Sequence, residues 1–108
     1  MTVEFDDATR ELLDGRNFAT VATLDAHGAP QASVVWILRD GDTVLFTTTT
    51  GRQKGRNLAR DPRIALSVFD LANPYRTVEI RGHAELIEDP DHSLSLTLSQ
   101  RYLGEDPP

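Results

Sequence analysis

The sequence is organised around residues 47–63, which have the sequence TTTTGRQKGRNLARDPR. Thr50, followed three residues later by Gln53, matches a capping box, so the segment predicts the end of a strand, a tight turn and a short helix. Asp61-Pro62 ends that helix, because the residue before a proline avoids the α conformation. We therefore expect the N–H groups of the first helical turn to be fixed and to point towards the preceding loop.

The same segment concentrates positive charge in a chain whose formal charge is -6. Its basic residues are Arg52, Lys54, Arg56, Arg60 and Arg63, and only Asp61 opposes them. Strand-end hydroxyls, a helix N-terminus and converging basic groups are what a phosphate or polycarboxylate needs for binding. The segment predicts a site for an anionic small molecule, although a basic helix that only keeps one face solvated has the same composition.

Composition limits the class of protein. A chain of 108 residues predicts a single domain, residues 1–108, with a core small enough for a partner subunit to complete. The absence of cysteine excludes disulfides, thiolate metal sites and a cysteine nucleophile. A sequence pI of about 4.9 argues against general nucleic-acid binding. The longest apolar run, residues 34–38, is too short to cross a membrane, so we expect a soluble, cytoplasmic protein.

The rest of the sequence predicts a mainly β chain with a few short helices. The first helix is capped by Asp6 or Asp7 and followed by Gly15 as its C′ residue. Strands are expected at 18–24 (buried on both faces or nearly so), 30–38, 43–49, 64–69 and 75–87, with a hairpin turn at Asp40-Gly41, a bend at Gly82 and a last helix over 92–103. The first three strands would form a meander, and the whole set suggests a small antiparallel barrel.

Residues 34–38 also predict an unusual surface, because Val34, Val35, Trp36, Ile37 and Leu38 are all apolar. Alternate residues of a strand point to opposite faces, so both faces of this strand are apolar. One set fills the barrel, and the other needs a second cover. A two-fold partner that buries it predicts a homodimer.

The usual catalytic constellations are missing from the sequence. There is no glycine-rich dinucleotide fingerprint, no Walker loop, no Gly-x-Ser-x-Gly elbow and no pair of histidines at metal spacing. His27, His83 and His92 stand apart from one another. We therefore expect no catalytic side chain and no metal; if the protein is an enzyme, a cofactor carries the chemistry.

Four segments, taken together, resemble the pyridoxamine 5′-phosphate oxidase-like (FMN-binding split barrel) superfamily, and within it the actinobacterial coenzyme F420-dependent oxidoreductases. The segments are NFATVATL (17–24), GAPQASVVW (28–36), TTTGRQKGRNLARDPR (48–63) and NPYRTVEIRG (73–82). The most specific part is the run Arg-x-Lys-x-x-Asn-Leu ahead of Asp-Pro-Arg.

The resemblance implies a homodimer of six-stranded antiparallel split barrels, with two cofactor clefts at the subunit interface. Carried over position by position, the resemblance implies that a flavin-like ring is lined by Ser33, Val34, Val35 and Trp36, and that its edge and linker are contacted by Thr47, Thr48 and Thr49. It implies that Arg52 and Lys54 hold the phosphate and that Asn57 braces the loop. It also implies that Tyr75 and Arg76 lie near the cleft of the second subunit. Family members continue past the position of Pro108 into a final strand, so we expect either a chain shortened at its C-terminus or a barrel that closes differently.

The resemblance also implies an activity. We expect an oxidoreductase that binds deazaflavin coenzyme F420 and transfers a hydride to an unsaturated or electrophilic small organic substrate. The alternatives are an FMN-binding oxidase or reductase of the pyridoxamine 5′-phosphate oxidase type and a non-catalytic flavin or deazaflavin carrier. F420 carries a lactyl-glutamate tail beyond its phosphate, so the five basic residues of segment 47–63 favour the longer anion.

Overall fold

The structure is a computed structural model that describes residues 3–104. Its elements, in chain order, are α1 (Asp7–Asp14), β1 (Ala19–Leu24), β2 (Pro30–Val35), β3 (Leu38–Asp40), β4 (Thr43–Leu45), α2 (Gln53–Arg60), β5 (Arg63–Asp70), β6 (Asn73–His83) and α3 (Ser93–Leu103). The six strands and three short helices confirm the mainly β fold.

The strands form two antiparallel sheets, as in a split barrel. Four of them hydrogen-bond in the order β2-β1-β5-β6, and β3 pairs with β4 as a separate hairpin. The register places Val35, Ala19, Val68 and Val78 in one row across the larger sheet. This row is therefore an apolar band on one face of that sheet, and it must be covered.

The core lies between this face, α1 and the start of the hairpin. Leu12 and Leu13 of α1 pack with Ala19, Val21, Ile37, Leu66 and Val68, and Phe5, Val44 and Phe46 lie at the edge of the cluster. The opposite face of β1 is not equally covered, since Thr20 is exposed. The prediction of a strand buried on both faces is therefore wrong for β1, which buries mainly Ala19, Val21 and Thr23.

Most helix ends follow the sequence. The Asp6 side chain accepts a hydrogen bond of 2.8 Å from the Thr9 N–H and caps α1, and the Asp89 carboxylate accepts from the N–H groups of Ser93 and Leu94 before α3. Gly15 follows α1 in an extended conformation with φ -67°, not in the left-handed one typical of a C′ glycine. The reason for glycine there is space, because a Cβ would lie 2.8 Å from Asn17 Nδ2.

The predicted strand 30–38 is in fact two strands, with a break at Trp36 and Ile37. Ile37 is fully buried, and its N–H donates to the Tyr102 hydroxyl (3.2 Å). This hydrogen bond to α3 takes the place of a strand partner, and the chain leaves the larger sheet. The predicted three-strand meander is therefore wrong, because the strand predicted at 43–49 is β4, which pairs only with β3 and not with the larger sheet.

Two other strand ends differ from the prediction. β4 ends at Leu45, and Thr47, Thr48 and Thr49 lie in the irregular connection to α2. The long last strand ends at His83, and Leu86 and Ile87 beyond it are exposed. Within residues 3–104, no helix is long and apolar enough to cross a membrane.

Candidate cofactor site

The start of α2 differs from the predicted capping box. Arg52 is the N-cap residue, and no side chain caps the helix. The Gln53 side chain does not turn back to Thr50; its Nε2 donates to Asn57 Oδ1 at 2.7 Å. The capping-box prediction is therefore wrong, and the N–H groups of the first turn are left without a side-chain acceptor. Free N–H groups at a helix N-terminus favour an anion.

Gly55 lets α2 lie directly against the connection that precedes it. A Cβ on Gly55 would overlap the carbonyl of Thr49 and lie 3.5 Å from Thr48 Oγ1. The Arg52 N–H donates to the same Thr49 carbonyl at 3.1 Å. The positions of Thr48 and Thr49 relative to the basic helix are thus fixed by the backbone.

Asn57 is fully buried and joins α2 to the sheet. Its Nδ2 donates to Thr23 Oγ1 at 2.9 Å, and its Oδ1 accepts from Gln53 and, at 3.2 Å, from Arg60. Arg60 also donates to the Leu24 carbonyl. Because a buried amide with three partners has one favoured orientation, this network fixes the rotation of α2 on the end of β1.

The five basic residues of segment 47–63 have different surroundings. Arg56 donates to the Gly51 carbonyl and to Gln53, Arg60 belongs to the Asn57 network, and Arg63 pairs with Asp61 at 2.7 Å. The basic side chains that form no hydrogen bond or ion pair with residues 3–104 are Arg16, Arg52 and Lys54. Two of these three lie together at the start of α2.

Lys54 is the unusual member of this pair, because it is only 9% exposed. Burial, and then the neighbouring Arg52 guanidinium, lowers the pKa of the Lys54 ammonium group. A buried cation without a counter-charge is unfavourable in the free protein. A bound anion would remove that penalty, and a solvated basic helix does not account for a buried lysine.

An apolar groove lies at the C-terminal end of β2, away from α2. It has a volume of about 280 Å³ and is lined by Phe18, Val34, Val35 and Trp36. Val34 is 65% exposed and Phe18 is 40% exposed. On the inner face of the same strand, the buried Oγ of Ser33 has no hydrogen-bond partner among residues 3–104. The groove offers flat apolar contacts, which suit a ring system.

The groove is backed by α3 through Tyr102. The Tyr102 ring stacks on Trp36, with 5.4 Å between centroids and 7° between planes, and on Phe18, with 5.8 Å and 19°. Two of the four residues that line the groove are therefore held by one aromatic side chain from the last helix.

Tyr75 and Arg76 lie away from the groove within one chain. They belong to β6, which is the opposite edge of the larger sheet from β2. Tyr75 is 97% exposed. Arg76 contacts Glu11 (3.3 Å) and Asp70 (3.6 Å), so it ties β6 to α1 and β5. Two intervening strands separate them from Ser33 and Trp36, roughly 14 Å at the usual strand spacing.

Several residues at this site were not among the sequence predictions. Phe18 was assigned only to a strand and Tyr102 only to a helix, whereas both line or back the groove. Thr23 and Gln53 hold Asn57. The sequence signal available for Thr23 was a polar residue in an otherwise apolar strand. No local pattern marks Tyr102 as a residue of the groove.

Comparison with known proteins fits this geometry. Two antiparallel sheets with three short helices place the chain in the split-barrel class of folds. Residues 5–106 match the family described as "Pyridoxamine 5'-phosphate oxidase". The chain therefore belongs to the pyridoxamine 5′-phosphate oxidase family.

Similar individual proteins include a pyridoxine/pyridoxamine 5′-phosphate oxidase from Cupriavidus necator, which is 36% identical over 89 residues; the match covers 81% of this chain and 41% of the relative. The chain thus spans about two fifths of the curated relatives it matches. A solved structure named F420 reductase is 38% identical, with a TM-score of 0.88, and the match covers 96% of this chain and 85% of that one. A conserved hypothetical protein from Mycobacterium tuberculosis is 26% identical, with a TM-score of 0.77 and coverages of 95% and 68%.

Proposed function

We propose that this chain binds deazaflavin coenzyme F420 and transfers a hydride to an unsaturated or electrophilic small organic substrate. The observation that carries the proposal is the buried, unpaired Lys54 beside the unpaired Arg52 at the uncapped start of α2. An ammonium group, a guanidinium group and free backbone N–H groups together suit a phosphate. The similarity to a structure named F420 reductase supports deazaflavin over FMN.

The two halves of the proposed site suit an elongated cofactor. Asn57 of α2 contacts Thr23, which pairs with Gln31, whereas the groove begins on β2 at Val34, which pairs with Thr20. These two rows of the sheet are about 10 Å apart along β1, at about 3.3 Å per residue. A ring in the groove and a phosphate at α2 therefore require a linker between them, and Thr47, Thr48 and Thr49 are proposed to contact it.

The residues have distinct roles in this proposal. Val34, Val35 and Trp36 hold the ring by apolar contact, the unpartnered Ser33 hydroxyl provides a hydrogen bond at its edge, and Lys54 and Arg52 bind the phosphate. When bound in its reduced form, deazaflavin supplies a hydride to the electrophilic carbon of the substrate. No side chain of the chain is assigned as an acid or base, so the accompanying proton comes from solvent.

A homodimer completes the proposed cleft. The outer face of the larger sheet carries a row of small residues, Ala32, Ala22 and Ala65, together with the exposed side chains of Val34 and Phe69. Glu79 and Arg81 of β6 lie on the same face, and the apolar part formed by β2, β1 and β5 favours a second sheet as its cover. We propose that a second copy packs here and brings its Tyr75 and Arg76 towards the cleft.

Equilibrium titration with F420 and with FMN tests the function. We expect F420 to bind more tightly, and replacement of Lys54 or Arg52 by alanine to weaken binding by about 1.5–3 kcal/mol, the range for hydrogen bonds to charged groups. Arg10→Ala on α1 is the control, because Arg10 already pairs with acidic neighbours and lies outside the site. Equal effects of Lys54→Ala and Arg10→Ala would instead favour a solvated basic helix.

The same titration separates the alternatives. Tight binding of FMN without binding of F420 would overturn the deazaflavin proposal in favour of an FMN-dependent oxidase or reductase. F420 binding without turnover of any electrophilic acceptor in a substrate screen would instead favour a cofactor carrier.

A further inference from the structure

We propose that Tyr102 is a positioning residue that fixes the plane of Trp36 and thereby the shape of the ring groove. This inference rests on the proposed function, because it assigns the groove to the cofactor ring. It is carried by the ring stacking, by the hydrogen bonds of the Tyr102 hydroxyl and by the way α3 is anchored.

Trp36 is not held by strand pairing. β2 ends at Val35 and β3 begins at Leu38, so Trp36 and Ile37 form the link between two sheets. A side chain at such a link has no cross-strand neighbours to set its rotamer. The nearly parallel Tyr102 ring, 5.4 Å away, is the stacking partner of Trp36.

The Tyr102 hydroxyl bonds to the chain next to both rings on which it stacks. It donates to the carbonyl of Asn17 (2.7 Å), the residue before Phe18, and accepts from the N–H of Ile37 (3.2 Å), the residue after Trp36. Ring stacking and hydrogen bonding thus fix the same two segments from two directions. Tyr102 therefore cannot rotate without losing contacts to both walls of the groove.

The helix that carries Tyr102 is itself anchored. The Arg101 Nη2 lies 3.0, 2.8 and 2.7 Å from the carbonyls of Leu13, Asp14 and Gly15 at the end of α1. A cation at a helix C-terminus also interacts favourably with the helix dipole. Leu98, one turn before Tyr102, is buried. The last turns of α3 thus form a fixed support for the groove.

The single tryptophan of the chain makes the proposal measurable without a cofactor. We compare the emission and acrylamide quenching of Trp36 in the unmodified protein, Tyr102→Phe, Tyr102→Leu and the control Leu96→Ala, an exposed apolar residue of the same helix. Tyr102→Leu should shift the emission to the red and increase quenching. Tyr102→Phe, which retains the stack but loses the hydroxyl hydrogen bonds, should have a smaller effect, and Leu96→Ala should have none. An unchanged Trp36 signal in Tyr102→Leu would overturn the proposal.

A second arm asks whether the position of Trp36 matters for the ring. Tyr102→Leu should weaken F420 binding by about two- to tenfold, the range for one aromatic pair, with Tyr102→Phe restoring it to within about twofold. Unfolding by urea checks that each variant is folded. A changed Trp36 signal with unchanged F420 affinity would overturn the positioning role and leave the proposed function intact. Failure of the unmodified protein to bind F420 or FMN would overturn the proposed function, while the Trp36 signal in the free protein would still decide whether Tyr102 fixes Trp36.

Discussion

Gly55 and Thr49 are in backbone contact, since any side chain on Gly55 would overlap the Thr49 carbonyl. This contact joins the uncapped start of α2 to the threonine connection. Lys54, the residue next to Gly55, therefore has its backbone position set by the connection. The proposed anion site thus depends on a glycine, which has no side chain of its own.

The first prediction concerns this contact. Gly55→Ala should push α2 away from Thr49, lower the free energy of unfolding by about 1–3 kcal/mol and weaken cofactor binding, because overpacking against backbone cannot be relieved by a rotamer change. Gly51→Ala is the matched control, since a Cβ there has nothing within 4 Å. Urea unfolding and cofactor titration measure both effects. Equal stability of the two variants would show that α2 is free to shift.

The second prediction separates function from stability at Lys54. Lys54→Met should raise the free energy of unfolding in the absence of cofactor by about 0.5–2 kcal/mol, because it removes a buried, uncompensated charge and keeps the apolar stem. It should also weaken cofactor binding by about 1.5–3 kcal/mol, as Lys54→Ala does. Arg52→Met is the control, because Arg52 is exposed and its replacement should reduce affinity without raising stability. A less stable Lys54→Met protein would mean that the ammonium group supports the fold.

The third prediction concerns acid stability at the end of α2. Hydrogen bonds from the Arg63 side chain lower the pKa of Asp61 to about 2, from an ordinary value of 3.8. A carboxyl group whose pKa is lower in the folded state stabilises the fold above its unfolded pKa, and this contribution is lost as the pH falls from about 4 to about 2.

Urea unfolding at about pH 6 and about pH 3 therefore should show a smaller acid-induced loss of stability in Asp61→Asn than in the unmodified protein. Asp91→Asn serves as the control, since its carboxylate forms no hydrogen bond or ion pair with residues 3–104. If both variants lose stability in parallel with the unmodified protein, the Asp61–Arg63 pair does not contribute to acid stability.

The fourth prediction tests the proposed dimer. The unmodified protein should have twice the 12.0 kDa mass of one chain in light scattering, and Phe69→Glu should reduce it to that of one chain. Phe69 is 44% exposed, and a charge on a buried interface is unfavourable. Leu71→Glu, an exposed residue of the β5–β6 turn, is the control. A mass near 12.0 kDa for folded, cofactor-binding unmodified protein would contradict both the dimer and the interfacial cleft.

Local sequence patterns predicted the parts of the fold that local interactions decide. Asp40-Gly41 marks the β3–β4 hairpin, where Gly41 has a φ of +59°, and the helix predicted over 92–103 is α3, between Asp89 and Gly104. The break at Ile37 was not predictable, because its cause is Tyr102, 65 residues further along the chain. Gln53 failed as a capping residue for a similar reason, since Asn57 and the buried network compete for its side chain.

The candidate site divides in the same way. The basic cluster that contains Arg52 and Lys54 was visible in the sequence, whereas Asn57 was proposed only from the family resemblance. Their surroundings were not predictable, because the burial of Lys54 and the pairing of Arg56, Arg60 and Arg63 depend on tertiary contacts. The apolar groove is formed where α3 packs against the β2–β3 link, and no local strand or helix pattern predicts that contact.

The contact of Arg101 with the end of α1 has a consequence for the order of folding. It joins residues that are 86 to 88 positions apart, and the Tyr102 hydrogen bond to Asn17 spans 85. Contacts of high sequence separation carry the largest loop-closure cost and form late. We therefore expect the β5–β6 hairpin to form early and the stack of Phe18, Trp36 and Tyr102 to assemble last. A ribosome-bound chain then lacks the groove until residue 102 has emerged from the exit tunnel.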